Sequence, residues 1–247
     1  TESDTLSLHA ALPIYHVTPF GRQEALREPG LVQLRGGGFQ CGIHLGRHGD
    51  IGHRAKRPLV QLVGDAITVL DLVSARQAHI VGNSAGGYVS QQLAIHHPER
   101  VKTLSLFAST PGLKHSHAPT WVPKIKQIGL KQFLSDTIQE RFDSSADPAL
   151  VKWFIEQAGS NDPAFIARFV MHMCTHDFME ELSVVKAPTL IVAAGKEQIG
   201  HASAYEDMRR HIAGSELIYY DTSAHNICDG YASRCVDDLM EFLARRG

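Results

Sequence analysis

The sequence predicts a mostly parallel, doubly wound α/β sheet, and three observations carry that reading. From Pro29 onward, short apolar runs of strand length alternate with longer runs of helical spacing, the pattern of repeated βα units. Between Pro111 and Ala187 the alternation stops and every run has helical spacing, so a helical insertion interrupts the sheet. Beyond Ala187 the alternation resumes to the C-terminus. Strands joined by helices in this way run parallel and are covered on both faces.

Taken in order, Gly30–Leu34 is a short strand that ends in Arg35-Gly36-Gly37-Gly38. Gly42–Arg57, rich in His and Gly, reads as a loop. Pro58–Ser74 spaces Leu59, Leu62, Val63, Ala66, Ile67, Leu70 and Val73 as one helix face, with proline in its first turn. Ala78–Val81 is a strand, Tyr88–His97 a helix closed by Pro98, and Thr103–Ala108 the next strand. The insertion holds helices at Ile128–Phe142, Pro148–Ala158, Pro163–His176 and Phe178–Val184. Two of these begin with an aspartate N-cap followed by proline, at Asp147-Pro148 and Asp162-Pro163. Strand Thr189–Ala194, helix Ala202–Ile212, strand Glu216–Tyr220 and helix Gly230–Arg246 complete the chain. Residues 1–110 and 188–247 therefore form the core, and 111–187 a lid above the carboxyl ends of the strands, where open α/β sheets bind ligands. Residues 1–14 fit neither an export signal nor a strand and read as a foreign or truncated start.

Composition narrows the function. The chain of 247 residues is 43% hydrophobic and 20% charged, enough for one packed core. No apolar run reaches the ~18 residues of a membrane helix. A net charge of -2 gives no broad basic surface for nucleic acid. The four cysteines, Cys41, Cys174, Cys228 and Cys235, form no C-x-x-C pair, and with no signal peptide they fit a reduced, cytoplasmic protein.

The most informative segment is Val81-Gly82-Asn83-Ser84-Ala85-Gly86-Gly87, placed between a strand and a helix. A serine at so sharp a turn is strained, with its hydroxyl exposed, and needs small neighbours; a side chain at Gly82 or Gly86 would clash across the turn. Ala85 opens the helix, so its N–H and the helix N-terminus face any oxyanion formed at Ser84. A serine hydroxyl is a poor nucleophile without a base. His225, in Ser223-Ala224-His225-Asn226, follows the last strand on the sheet edge that carries Ser84.

With these residues in place the chain resembles the α/β-hydrolase family from Leu31 onward. The resemblance rests on Leu34-Arg35-Gly36-Gly37-Gly38 at a strand end, on Gly82–Gly87, and on Ala187–Gly195 leading to Ala224-His225-Asn226. The insertion, from Gln127-Ile128-Gly129 through Phe142 and over Phe165–His176, looks most like 3-oxoadipate enol-lactonases and related small esterases.

Two departures accompany the resemblance. The family pattern G-x-x-Asp after the penultimate strand reads Gly195-Lys196-Glu197-Gln198 here, so Gln198 holds the place of the acid. A glutamine can orient the imidazole but cannot stabilise its charged form. Glu197, one residue away, is the alternative; Asp229 reads as a cap of the terminal helix, and Ser109–Leu113 holds no carboxylate. The family also draws an oxyanion donor from a His-Gly turn. Its nearest equivalent is Ile14-Tyr15-His16-Val17, which makes Val17 N–H the second donor, although the interval to Arg35 is short for the helix normally found between.

Other signals give way to plainer readings. His44, His48, Asp50 and His53 crowd a glycine-rich loop without zinc spacing and read as a solvated loop, so no metal is expected. Gly36-Gly37-Gly38 lacks the G-x-G-x-x-G pattern of a dinucleotide loop. Trp153, Phe154, Phe165, Phe169, Met171 and Met173 are divided between lid core and pocket wall.

The sequence thus leads to a serine hydrolase that cleaves a small carboxylic ester or lactone through an acyl-enzyme on Ser84, with His225 as base and no cofactor. No nucleic-acid or membrane partner is expected. C–C bond or amide hydrolysis on the same scaffold is one alternative. A degenerate hydrolase that binds a ligand or partner without turnover is the other.

Overall fold

Strand pairing follows chain order. The computed structural model describes residues 15–16, 31–36 and 60–246. Six strands form one sheet in the order β1 (Tyr15–His16), β2 (Leu31–Gly36), β3 (Ala78–Ser84), β4 (Val101–Phe107), β5 (Thr189–Ala194) and β6 (Glu216–Tyr220). β1 runs antiparallel to β2, and every later pairing is parallel, as expected for strands joined by helices.

Side chains alternate across a strand, and both faces here are buried. Ile80, Leu104, Leu106, Ile191 and Ala193 pack on one face. They meet Leu62, Ala66 and Leu70 of α1 (Val60–Leu72) and Tyr88, Val89 and Leu93 of α2 (Ala85–His96). Val81, Phe107, Leu190, Val192 and Ala194 face the other way, with Cys235, Leu239 and Phe242 of the terminal helix. Each large side chain buried this way contributes about 1.5–3 kcal/mol.

The segment between β4 and β5 contributes no strand among the described residues. It holds α3 (Trp121–Ile128), α4 (Leu130–Asp136), α5 (Pro148–Gly159) and α6 (Pro163–Thr175), followed by a 3₁₀ turn at Glu180–Val184. The single helix expected at Ile128–Phe142 is broken, and α3 was not foreseen. Gly129, at φ 82°, ends α3 and starts α4, a backbone conformation that glycine takes without strain. The two aspartate caps are present: Asp147 accepts from Ala149 N at 2.8 Å and Asp162 from Ala164 N at 2.9 Å. After α7 (Ala204–His211), the C-terminal helix is split into α8 (Ile227–Gly230) and α9 (Ala232–Arg246), with Tyr231 between them. The Gly42–Arg57 loop and residues 1–14 lie outside the described residues. No helix among those described is long and apolar enough to cross a membrane.

Candidate active site

β3 runs past Val81 to Ser84 because Gly82 and Asn83 stay paired with Leu34 and Arg35 of β2. Ser84 itself sits at φ 51°, ψ -121°. A non-glycine residue at positive φ costs about 1–2 kcal/mol, and persists only where its surroundings over-determine it. Here two glycines permit the close approach. A Cβ on Gly82 would lie 2.4 Å from Gly87 Cα, and one on Gly87 would lie 2.3 Å from Ser109 Oγ. Gly87, which the sequence reading did not single out, is thus a second position where the turn needs a small residue. Gly82→Ala must push backbone against backbone. We expect it to lose about 1–3 kcal/mol in a denaturant titration, and an unchanged midpoint would show that the turn can relax.

Ser84 Oγ lies 2.7 Å from His225 Nε2. On its far side, His225 Nδ1 is 2.9 Å from both carboxylate oxygens of Glu197. With Nδ1–H donating to Glu197, Nε2 is left to accept the serine proton. His225 rides on the loop after β6, and its N–H donates to Glu140 O at 3.3 Å. The neighbouring Asn226 N–H donates to Arg141 O at 2.8 Å. Two backbone bonds thus tie the histidine loop to the helical segment.

Glu197 also accepts from Ile199 N at 2.8 Å, Gly200 N at 3.1 Å and Tyr205 Oη at 2.6 Å. Burial alone would raise its pKa, but the charge and hydrogen bond of His225, with those of Tyr205 and Gly200, outweigh it and hold the carboxyl at about 2. It is ionised at any pH where an imidazole can act as a base. Tyr205, buried beside this charge, is pushed well up and keeps its proton.

The carboxylate that meets His225 is that of Glu197, the alternative the sequence offered, one residue before the family position held by Gln198. Gln198 is exposed, whereas Glu197 and Ile199 on either side are buried. That in–out–in alternation sets the direction of the carboxylate. Asp229 is taken up by Asn226 Nδ2 at 3.0 Å. Val17 lies outside the described residues. β1 runs antiparallel to β2, with His16 opposite Gln33. The strand end that pairs with Ser84 is Gly36 of β2. His44, His48, Asp50 and His53 also lie outside the described residues. Among those described, no three or more His, Cys, Asp or Glu cluster in a way that could hold a metal.

Ser84, Ala85, Glu197 and His225 border a cavity of about 40 Å³. A water needs about 10–15 Å³ of such space, so this is room for a few. Leu113, Trp121, Phe169, Val170 and Met173, all from the helical segment, form much of its wall. Of the aromatic and methionine residues singled out from sequence, Phe169 and Met173 line the cavity. Phe154 packs on Phe142 and Phe165 stacks on Phe169, while Trp153 and Met171 are exposed.

Arg141, which the sequence did not single out, also lines the cavity. Its guanidinium is fully buried, donates to Thr137 O and Oγ1 at 3.2 and 3.0 Å, and lies 5.9 Å from the Trp121 ring centre. Burial lowers its pKa to about 10 against the charges of Glu140 and Glu197, so it remains a cation at neutral pH.

The chain as a whole is similar to known proteins. A sequence model of the family described as serine aminopeptidase, S33 covers residues 34–229. The pimeloyl-[acyl-carrier protein] methyl ester esterase of Nitrosomonas europaea is 25% identical over 224 residues, 80% of this chain and 88% of that protein. The 2-hydroxymuconate semialdehyde hydrolase of Pseudomonas sp. (strain CF600) is 27% identical, over 74% of this chain and 67% of that one. Among solved structures, the enol-lactonase from Burkholderia xenovorans LB400 superposes with a TM-score of 0.70 at 18% identity, covering 76% of this chain and 74% of that one. That likeness is one of fold.

Proposed function

We propose, from the premise that this chain belongs to the serine aminopeptidase S33 family of α/β-hydrolases, that it hydrolyses a small carboxylic ester or lactone through an acyl-enzyme on Ser84. The observation that carries this is the unbroken hydrogen-bonded line from Ser84 through His225 to Glu197, ending at a small cavity.

In this reading Ser84 Oγ attacks the substrate carbonyl as His225 Nε2 takes its proton. Glu197 holds the imidazole in the required tautomer and offsets the imidazolium charge. Ala85 N–H, in the first helical turn, donates to the oxyanion, with Val17 N–H as the second donor the family pattern suggests. His225 then protonates the leaving alkoxide. Water attacks the acyl-enzyme with His225 again as base, and the acid and Ser84 are released. Residues 111–187 act as a lid: their apolar side chains on the cavity wall favour a short acyl group, and larger substrates require the segment to move. Arg141 gives the wall a fixed positive charge, which favours substrates with a carboxylate near the scissile carbonyl.

A C–C bond hydrolase is the second reading, favoured by the 2-hydroxymuconate semialdehyde hydrolase relative. One comparison separates the two. Purified protein is treated with a fluorophosphonate and assayed on p-nitrophenyl acetate, p-nitrophenyl octanoate and a vinylogous diketone. We expect labelling, and turnover of acetate faster than octanoate by about tenfold or more. Preference for the diketone would move the assignment to C–C cleavage. A folded protein that neither labels nor turns over would overturn both, in favour of a ligand-binding protein.

A further inference from the structure

Beside the nucleophile lies a polar network that the proton relay does not use. Ser109, the second residue past the end of β4, donates its hydroxyl to the carbonyl of Ser84 at 2.8 Å. Gln91 Nε2 of α2 reaches the same hydroxyl at 3.2 Å, as well as Gly87 O at 3.1 Å and Thr110 O at 3.4 Å. Ser109 and Gln91 are both buried. Gly87 is the glycine whose missing Cβ leaves room for Ser109.

The Ser84 carbonyl and the Ala85 N–H belong to one planar peptide unit and point in opposite directions. Fixing the carbonyl on one side therefore aims the N–H on the other. Ala85 lines the cavity. A hydrogen bond to a peptide carbonyl also polarises that peptide and strengthens its N–H as a donor. We propose that Ser109, held in its rotamer by Gln91, is a positioning residue that orients and polarises the Ala85 N–H toward the oxyanion. This rests on the reading of Ser84 as the nucleophile, and it adds a group outside the serine, histidine and carboxylate line. The hydroxyl also fixes the peptide that follows the strained Ser84.

The test compares kcat, KM and inhibition by a short alkyl trifluoromethyl ketone, whose hemiketal oxyanion occupies the same donors. In Ser109→Ala, kcat should fall about tenfold and the ketone Ki rise by the same factor, a fraction of the 10²–10³ that a whole donor supplies. KM should move less than about twofold, and the pH–rate midpoint should stay in place, since His225 and Glu197 are untouched. Ser109→Thr, which keeps a hydroxyl, should recover most of the loss. Gln91→Met leaves Ser109 present but free to rotate, and should shift kcat and Ki together in the same direction; it keeps the inference refutable if Ser109→Ala does not fold. A variant with wild-type kcat and Ki, or a loss of kcat that leaves Ki unmoved, overturns the assignment. If the wild type itself neither labels nor turns over, what fails is the reading of Ser84.

Discussion

Ser84→Ala should abolish ester turnover and fluorophosphonate labelling together, with a loss of kcat on the order of 10⁴–10⁶. The size follows from the chemistry, because no acyl-enzyme can form without the Oγ. Whatever rate survives reflects the oxyanion donors acting on water. The fold should survive the change, since Ser84 is half-buried and its Oγ bonds, among the described residues, to His225. Alanine still has to adopt φ 51°, so the melting point should shift little in either direction. The result that would sink the assignment is a purified, folded alanine variant that retains wild-type turnover.

Glu197→Gln should reduce kcat by about 10³–10⁴ while preserving the shape of the site. Glutamine still offers an oxygen to His225 Nδ1, but it removes the charge that makes an imidazolium tolerable in a buried loop. It also forces an amide N–H₂ toward Ile199 N, Gly200 N or Tyr205 Oη, which all now donate to the carboxylate. Gln198→Asp is the matched control. Its side chain is exposed, so adding a carboxylate there should leave kcat within about twofold of wild type. A large gain in Gln198→Asp, with little loss in Glu197→Gln, would return the acid to the position the family pattern suggested.

The contrast between those two neighbours shows how far the sequence could be read. Serine at a glycine-bounded strand-to-helix turn announces itself, since few sequences need small residues on both sides of a serine at that place. Histidine after the last strand was read from topology: parallel strands deliver their carboxyl ends to one edge, and His225 Nε2 lies 2.7 Å from Ser84 Oγ there. The acid was harder. Its place depends on where a loop turns after β5, and a turn that shifts by one residue exchanges a buried side chain for an exposed one. The buried Ile199 was the available sign, because an apolar residue two places after Glu197 suggests that both point inward.

Ser109 and Arg141 illustrate a different limit. Neither has a motif, since a single serine after a strand and a single arginine in a helical segment are ordinary in sequence. Their roles arise from what packs beside them: Gly87 leaves space for one, and Trp121 and Phe133 surround the other. The broken helix at Gly129 was missed for a related reason, as one glycine within a helical pattern is as often tolerated as it is a terminator.

The two backbone bonds from His225 and Asn226 to Glu140 and Arg141 bear on how such proteins can be re-engineered. They mean that the helical segment is not an interchangeable cassette. A chimera that imported the corresponding stretch from a relative would import a new clasp for the base along with new pocket walls. Its rate could then fall even where the imported walls suit the substrate. Shortening the segment to widen the pocket would meet the same obstacle unless the stretch from Thr137 to Asp143 is kept. Recombination within this family should therefore exchange the histidine loop and that stretch as one inherited unit, although more than eighty residues of chain lie between them.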